Sequence, residues 1–288
     1  MRKIFIAALA GTMPLAAAPA FAQDSSDTPF SGIYVGASGG YDIQKNDVGA
    51  SILFDRNLDG GFRDTVTTPT GANAFSTGFC NGSARTQLSP AAGGSCRNDR
   101  DGWSYYGRVG VDHQSGPIVY GAVGEFGRSE ITDSVTGFST TPASYVMTRS
   151  VDWEASIRGR AGFAANKTLF YGTFGAAYAK IDSSFATTNT ANAFATSGKN
   201  RQWGFIGGGG IEQKLTPNIS IGLEYLYHEY QDNDFRVRAT AGAGIAGSPV
   251  LLAANPFVLA PNTRGTDFRR SDPQFSWNSL RATVAFRF

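Results

Sequence analysis

Residues 150–163 read SVDWEASIRGRAGF. Taken two at a time they separate cleanly. Val151, Trp153, Ala155, Ile157, Gly159, Ala161 and Phe163 fall on one side, and Asp152, Glu154, Ser156, Arg158, Arg160 and Gly162 on the other. A repeat of two is that of a β-strand, whose successive side chains point to opposite faces. The same rhythm recurs along the chain and predicts eight strands, at about 30–41, 102–112, 118–128, 149–163, 169–181, 201–213, 219–231 and 275–288. The fifth, LFYGTFGAAYAKI, is apolar on both sides, so its facing stays open.

The connections alternate in length. HQSGP, ANKT and KLTPN are short turns rich in Gly, Pro and Asn. The others are long and polar: residues 42–101, then Ser129–Thr148, Asp182–Arg201 and Asp232–Asp272. Strict alternation of short and long connections predicts an up-and-down antiparallel barrel of the outer-membrane type. The charged positions agree with it. Arg108, Glu125, Asp152, Glu154, Arg158, Arg160, Glu212, Glu224 and Arg281 all lie opposite the bulky apolar side chains of their strands. In lipid the apolar face turns outward and the charges turn inward, and the sheet must close because lipid cannot satisfy a free backbone edge. Eight strands enclose a bore just wide enough for side chains to fill, so an interior network of ion pairs is expected. Trp103, Tyr105, Tyr120, Trp203, Tyr225, Tyr227 and Trp277, near strand ends, are expected to form interfacial girdles.

Composition supports the same class. Hydrophobic residues make up 41% and aromatics 12%, with 36 glycines, while charged residues reach only 17%, below the quarter or so typical of soluble domains. A net charge of +2 does not suggest a nucleic-acid partner. MRKIFIAALAGTMPLAAAPAFAQD combines a basic start, an apolar run and small residues before a polar boundary, and is read as a signal peptide over residues 1–22. Residues 23–288 are then the exported barrel domain.

FSGIYVGASGGY, GFIGGGGIEQKLTPNISIGLEYLYHEY and the terminal LRATVAFRF together resemble the opacity-protein-like outer-membrane β-barrel proteins, often described as porin family proteins. The resemblance covers residues 30 to 288, with divergent loops. It implies a surface barrel of a Gram-negative outer membrane. Its partners would be outer-membrane lipid and lipopolysaccharide, the barrel assembly machinery, and a surface or host ligand held by the loops. Phe288 stands where such barrels carry their terminal assembly signal. The first loop, long and carrying two cysteines, departs from the family.

Candidate chemistry is sparse. Cys80 and Cys96, in an exported chain, predict a disulfide. It would close a loop of about fifteen residues, worth about 3 kcal/mol in the chain-entropy model. Asp55, Asn57 and Asp59, followed by Gly60, resemble the start of a calcium loop. The usual closing Glu is replaced by Val66, with Asp64 as a substitute, and the same residues also describe an Asp/Asn/Gly turn. No other cofactor is expected. His113 falls in a short turn. His228 shares a strand face with Glu224 and Ser220, four and eight residues away, too far apart along one strand for a catalytic relay. An arrangement with a cross-strand partner stays open. The segment AGIAGSPVLLAANPFVLAP is unexpectedly apolar for a loop, either packing against other loops or offering a contact site. The preferred function is a structural and interaction protein. A narrow diffusion porin is the alternative, and an outer-membrane lipid hydrolase or protease a distant third.

Overall fold

A computed structural model describes residues 29–44, 50–86, 96–244, 246–260 and 262–288. The signal segment 1–22 lies outside the described residues. Eight long strands form the barrel: β1 (Gly32–Gln44), β2 (Gly102–Ser115), β3 (Ile118–Ser129), β4 (Ala143–Ala165), β5 (Thr168–Thr187), β6 (Arg201–Lys214), β7 (Ile219–Gln231) and β8 (Gln274–Arg287). Each pairs antiparallel with its neighbour in sequence. β8 closes the ring on β1, with Tyr34 opposite Arg287 and Gln44 opposite Trp277. The fold is therefore all-β, and its barrel is closed without a free edge, as lipid requires.

Among the described residues, the connections at one end are all tight turns. Gly116, at φ +56, and Pro117 join β2 to β3, and Asn166, at φ +54, begins the turn from β4 to β5. Leu215 accompanies Thr216–Asn218 between β6 and β7. The left-handed backbone needed at a two-residue hairpin explains Gly and Asn there. The other end carries all the long loops.

The outer wall is apolar. Ile157, Phe174 and Trp203 are each about two-thirds exposed, and Val109, Leu223, Leu280 and Val284 are also exposed. In water so continuous an apolar band would be a severe liability, whereas in hydrocarbon it is the stable arrangement. The facing of β5 is settled: Phe170 and Phe174 point outward, Leu169 and Tyr171 inward.

One position of β4 departs from simple alternation. Lys180 of β5 stands opposite Trp153, but the next residue, Ile181, stands opposite Val151. Asp152 is thus the extra residue of a β-bulge. Below it the even positions (Glu154, Arg158, Arg160) face inward, and above it the odd positions (Val151, Arg149, Met147, Tyr145) do. One inserted residue reverses the side-chain parity. Asp152 is consequently not part of the interior network, contrary to the sequence expectation. It points outward to Lys180, 2.8 Å away. Trp277 corrects the girdle in the opposite sense. It is fully buried inside the barrel, stacked on His228 with ring centroids 4.7 Å apart.

β4 and β5 also run longer than the alternating pattern indicated, beginning at Ala143 and ending at Thr187. They continue beyond the apolar wall because they pair with each other throughout, while strand 132–139 adds to the edge of β4. Above the barrel, strands 192–197, 236–241, 266–270 and 52–55 form a separate four-stranded sheet in that order. The long loops thus fold into a cap.

Candidate functional site: a filled bore beneath a folded cap

The bore is occupied by layers of side chains. Nearest the short turns, Arg160 donates to Asp112 at 2.8 Å and to Glu212 at 2.9 Å, and Arg287 donates to Asp112 at 2.9 Å. Ser220 donates to Glu212 at 2.7 Å. Both guanidinium groups lie over the Tyr34 ring, at 5.0 and 4.7 Å. Tyr34 has this space because residue 110 is glycine, and a Cβ there would collide with the tyrosine ring. In the middle layer Arg158 donates to Glu125 at 2.6 Å and to both oxygens of Glu224 at 3.3 Å. Arg108 lies 3.4 Å from Glu125 and 3.6 Å from Glu224. Tyr171 donates its hydroxyl to Glu224 at 3.0 Å.

The third layer centres on Arg281, 3.9 Å above the Tyr106 ring and 3.0 Å from His228 Nε2. His228 Nδ1 is 3.0 Å from Glu154, which also accepts from Tyr230 at 2.8 Å, and Ser279 Oγ is 3.1 Å from His228 Nε2. The trio along one strand, Ser220, Glu224 and His228, is not brought together. A cross-strand set, Ser279–His228–Glu154, is. No sequence pattern announced it, because the contact depends on the registers of β4, β7 and β8. Arg281 can only donate, so its N–H takes the Nε2 lone pair that a general base would offer a serine. The cluster therefore resembles a packing network more than a catalytic relay. Of the expected interior charges, Arg108, Glu125, Glu154, Arg158, Arg160, Glu212, Glu224 and Arg281 all face the bore, none more than 6% exposed. Asp42, Asp112 and Arg287 join them.

Above these layers an apolar plug of Ile131, Val151, Ala177, Ala179, Ile181, Ile206, Leu226 and Phe275 crosses the bore with Tyr230 and Trp277. A further ionic layer follows. Arg149 donates to Asp133 at 2.6 Å and Asp272 at 2.8 Å, while Arg270 donates to both oxygens of Asp133 at 2.7 and 2.8 Å. Burial alone would raise the Asp133 carboxyl, but the two arginines hold it below its ordinary range. These residues tie the cap to the barrel.

The cap has its own core: Ile52, Phe54, Val66, Phe75, Val135, Tyr145, Met147, Val237, Phe257 and Phe268, with Phe185 and Phe194 at its margin. Phe257 and Val258, from the apolar loop segment, are buried, whereas Leu251 of the short helix Pro249–Ala254 is 46% exposed. Ile245 and Pro261 of that segment lie outside the described residues. Cys80 and Cys96 are joined by a disulfide, their Cα atoms 6.3 Å apart. In the first loop Asp55 accepts from the backbone N–H groups of Asp59 and Gly60, at 3.1 and 2.8 Å. Asn57 and Asp64 similarly accept from Asp59, Arg56 and Asn57, and Asp59 accepts from Gly61. These oxygens organise their own turn. Among the described residues, no three His, Cys, Asp or Glu side chains are grouped as a metal site. His113 is exposed near the end of β2, its ring 5.3 Å from that of Tyr120.

A family model described as outer membrane protein beta-barrel domain matches residues 7–246. The chain belongs to that family. The 22 kDa outer membrane protein of Rhizobium leguminosarum bv. viciae is 31% identical over 144 residues, 49% of this chain and 60% of that protein. The 31 kDa outer-membrane immunogenic protein of Brucella melitensis is 32% identical over 111 residues, 38% of this chain and 46% of that protein. The matched segments thus span about half the length of these relatives. In structure the chain is similar to the outer membrane protein OprG from Pseudomonas aeruginosa, at 12% identity and a TM-score of 0.48, covering 90% of this chain and 96% of that one.

As an outer-membrane protein of a Gram-negative bacterium, the barrel has its short turns in the periplasm and its cap outside the cell. Phe288 lies at the periplasmic rim, its N–H donating to the Ile33 carbonyl at 3.0 Å and its ring 5.2 Å from that of Phe286. The cap faces the environment, so its titration matters. Asp99 accepts from the Ser134 N–H at 2.7 Å, and its carboxyl is pushed up to about 6, first by burial and then by the neighbouring Asp133. The folded cap therefore holds this proton more tightly than the unfolded chain does. The contribution of Asp99 to cap stability falls as pH rises from about 4 through about 6 and is level above that. Asp99→Asn is expected to flatten this part of the pH dependence. The check is trypsin susceptibility of the cap at pH 4.5 and 6.5, and an unchanged profile in the variant would count against the assignment.

Proposed function

We propose that this outer-membrane barrel is a non-conducting mount that stabilises the envelope and presents its cap for surface recognition. One observation carries the reading: the charged groups of the bore are buried, most of them in ion pairs with one another, with an apolar plug above them. A diffusion pore of the same size would leave such groups lining water. Recognition is assigned to the cap because it is the part with a core of its own, held clear of the membrane on rigid strands.

Planar-bilayer recording of purified, refolded protein is the test. No stable single-channel steps are expected. Steps whose ion selectivity changes in Glu125→Gln would favour the narrow porin instead. An enzymatic role draws support from the Ser279–His228–Glu154 distances alone. Burial of all three side chains and the Arg281 donor on His228 weigh against it. Release of fatty acid or peptide by the wild type, lost in His228→Ala, would reverse that judgement.

A further inference from the structure

The outward face of the cap sheet carries two arginines that no carboxylate among the described residues pairs with. Val237 stands opposite Phe268 in the sheet, both buried toward the cap core. One step along, Arg236 and Arg269 occupy adjacent strands at the same level, on the opposite face. Both guanidinium carbons lie over a single ring, that of Phe62, at 5.0 and 4.5 Å. Phe62 itself is 5% exposed. The ring attracts each cation, so one buried phenyl side chain anchors two like charges.

The two acids paired across the sheet, Asp267 and Asp55, are otherwise engaged. Asp267 takes a two-pronged contact from Arg238, at 2.6 and 2.7 Å. Asp55 accepts backbone N–H groups of its own turn. Among the described residues neither Arg236 nor Arg269 has an ion-pair partner, and exposed Arg63 adjoins the platform in sequence. Two forked donors anchored on one ring, with net positive charge, match a dianionic tetrahedral oxyanion, since a phosphate monoester carries between about −1.5 and −2 near pH 7.

We infer that Arg236 and Arg269, seated on Phe62, form a receptor for a phosphate monoester borne on a surface sugar. This deepens the reading of the cap as a recognition element and rests on it. The phosphate can belong to a glycolipid of the surrounding outer leaflet or to a soluble phosphorylated sugar; the chemistry is shared.

The test uses the full chain refolded into phosphatidylcholine nanodiscs, with inositol hexakisphosphate as the probe in calorimetric titration. Saturable binding that weakens with added salt is expected. Arg236→Gln combined with Arg269→Gln should lower affinity at least tenfold, and Phe62→Leu, which keeps both charges, by about three- to fivefold. The double Lys variant should recover only part of the affinity, because an ammonium lacks the planar fork. Arg264→Gln, at an arginine bonded to Asn262, should bind as the wild type does. Each variant is first shown to retain heat-modifiable migration.

Discs containing intact or dephosphorylated lipopolysaccharide separate the sources. Competition by the intact form only identifies the neighbouring glycolipid, and competition by neither identifies a soluble sugar. Affinity within twofold of wild type in the double Gln variant overturns the inference, as does equally tight binding of dextran sulfate. Bilayer recording distinguishes this failure from that of the function above: lost binding with silent bilayers sinks the receptor alone, whereas channel steps with binding intact sink the sealed mount alone.

Discussion

Arg158→Leu is expected to destabilise the folded barrel by about 3–5 kcal/mol. Arg158 is fully buried and bridges Glu125 and Glu224, the first at 2.6 Å. Its removal leaves two buried carboxylates short of a partner, and the remaining contacts, Arg108 at 3.4 and 3.6 Å, Arg281 at 3.8 Å from Glu125 and the Tyr171 hydroxyl on Glu224, do not replace both. The penalty comes from the stranded charges rather than from the intrinsic worth of the pair, so Arg158→Leu combined with Glu125→Gln should recover part of the loss. The measurement is the urea midpoint of heat-modifiable migration in lipid vesicles. A loss below about 1 kcal/mol, the range of solvated pairs, would mean that water hydrates the carboxylates. The sealed bore would then be untenable.

Phe268→Ala is expected to cost about 3–5 kcal/mol as well, but in the cap alone. Phe268 is fully buried, with its ring centroid 5.1 Å from that of Phe54, 5.2 Å from Phe257 and 6.0 Å from Tyr145. Alanine would leave a cavity at the meeting point of several loops. The surrounding rings come from different chain segments and cannot all collapse into it. The cap core is separated from the bore by the ionic layer of Asp133, Arg149 and Arg270, so the barrel should survive the cap's loosening. Trypsin should cut the cap of the variant much faster, while the folded band persists on an unboiled gel. Loss of that band would show that cap and barrel unfold together.

Much of this was readable beforehand where period-two alternation is unbroken. On β2 every second residue from Trp103 to Val111 points outward and every second from Ser104 to Asp112 inward, as the bare sequence indicates. Alternation failed at Asp152, where one inserted residue changed the parity of β4 for everything beyond it. Alternation held at Trp277, where it was the girdle assignment that failed: its size suggested an interfacial anchor although its position was of inward parity. The cap was the least legible part. Strands of four to six residues with mixed polarity give no clear period, and Phe54, Phe257 and Phe268 lie far apart in the chain.

The amino-acid order alone established an eight-stranded barrel with polarity reversed, because side-chain facing is a local property of each strand and the solvent on each face selects its residues. Which charges meet, where Glu154 and Ser279 flank His228, and how Arg236 comes to share a ring with Arg269 depended on register, closure and loop packing. Those contacts join residues tens to hundreds of positions apart, and no local repeat encodes the stagger that brings them together.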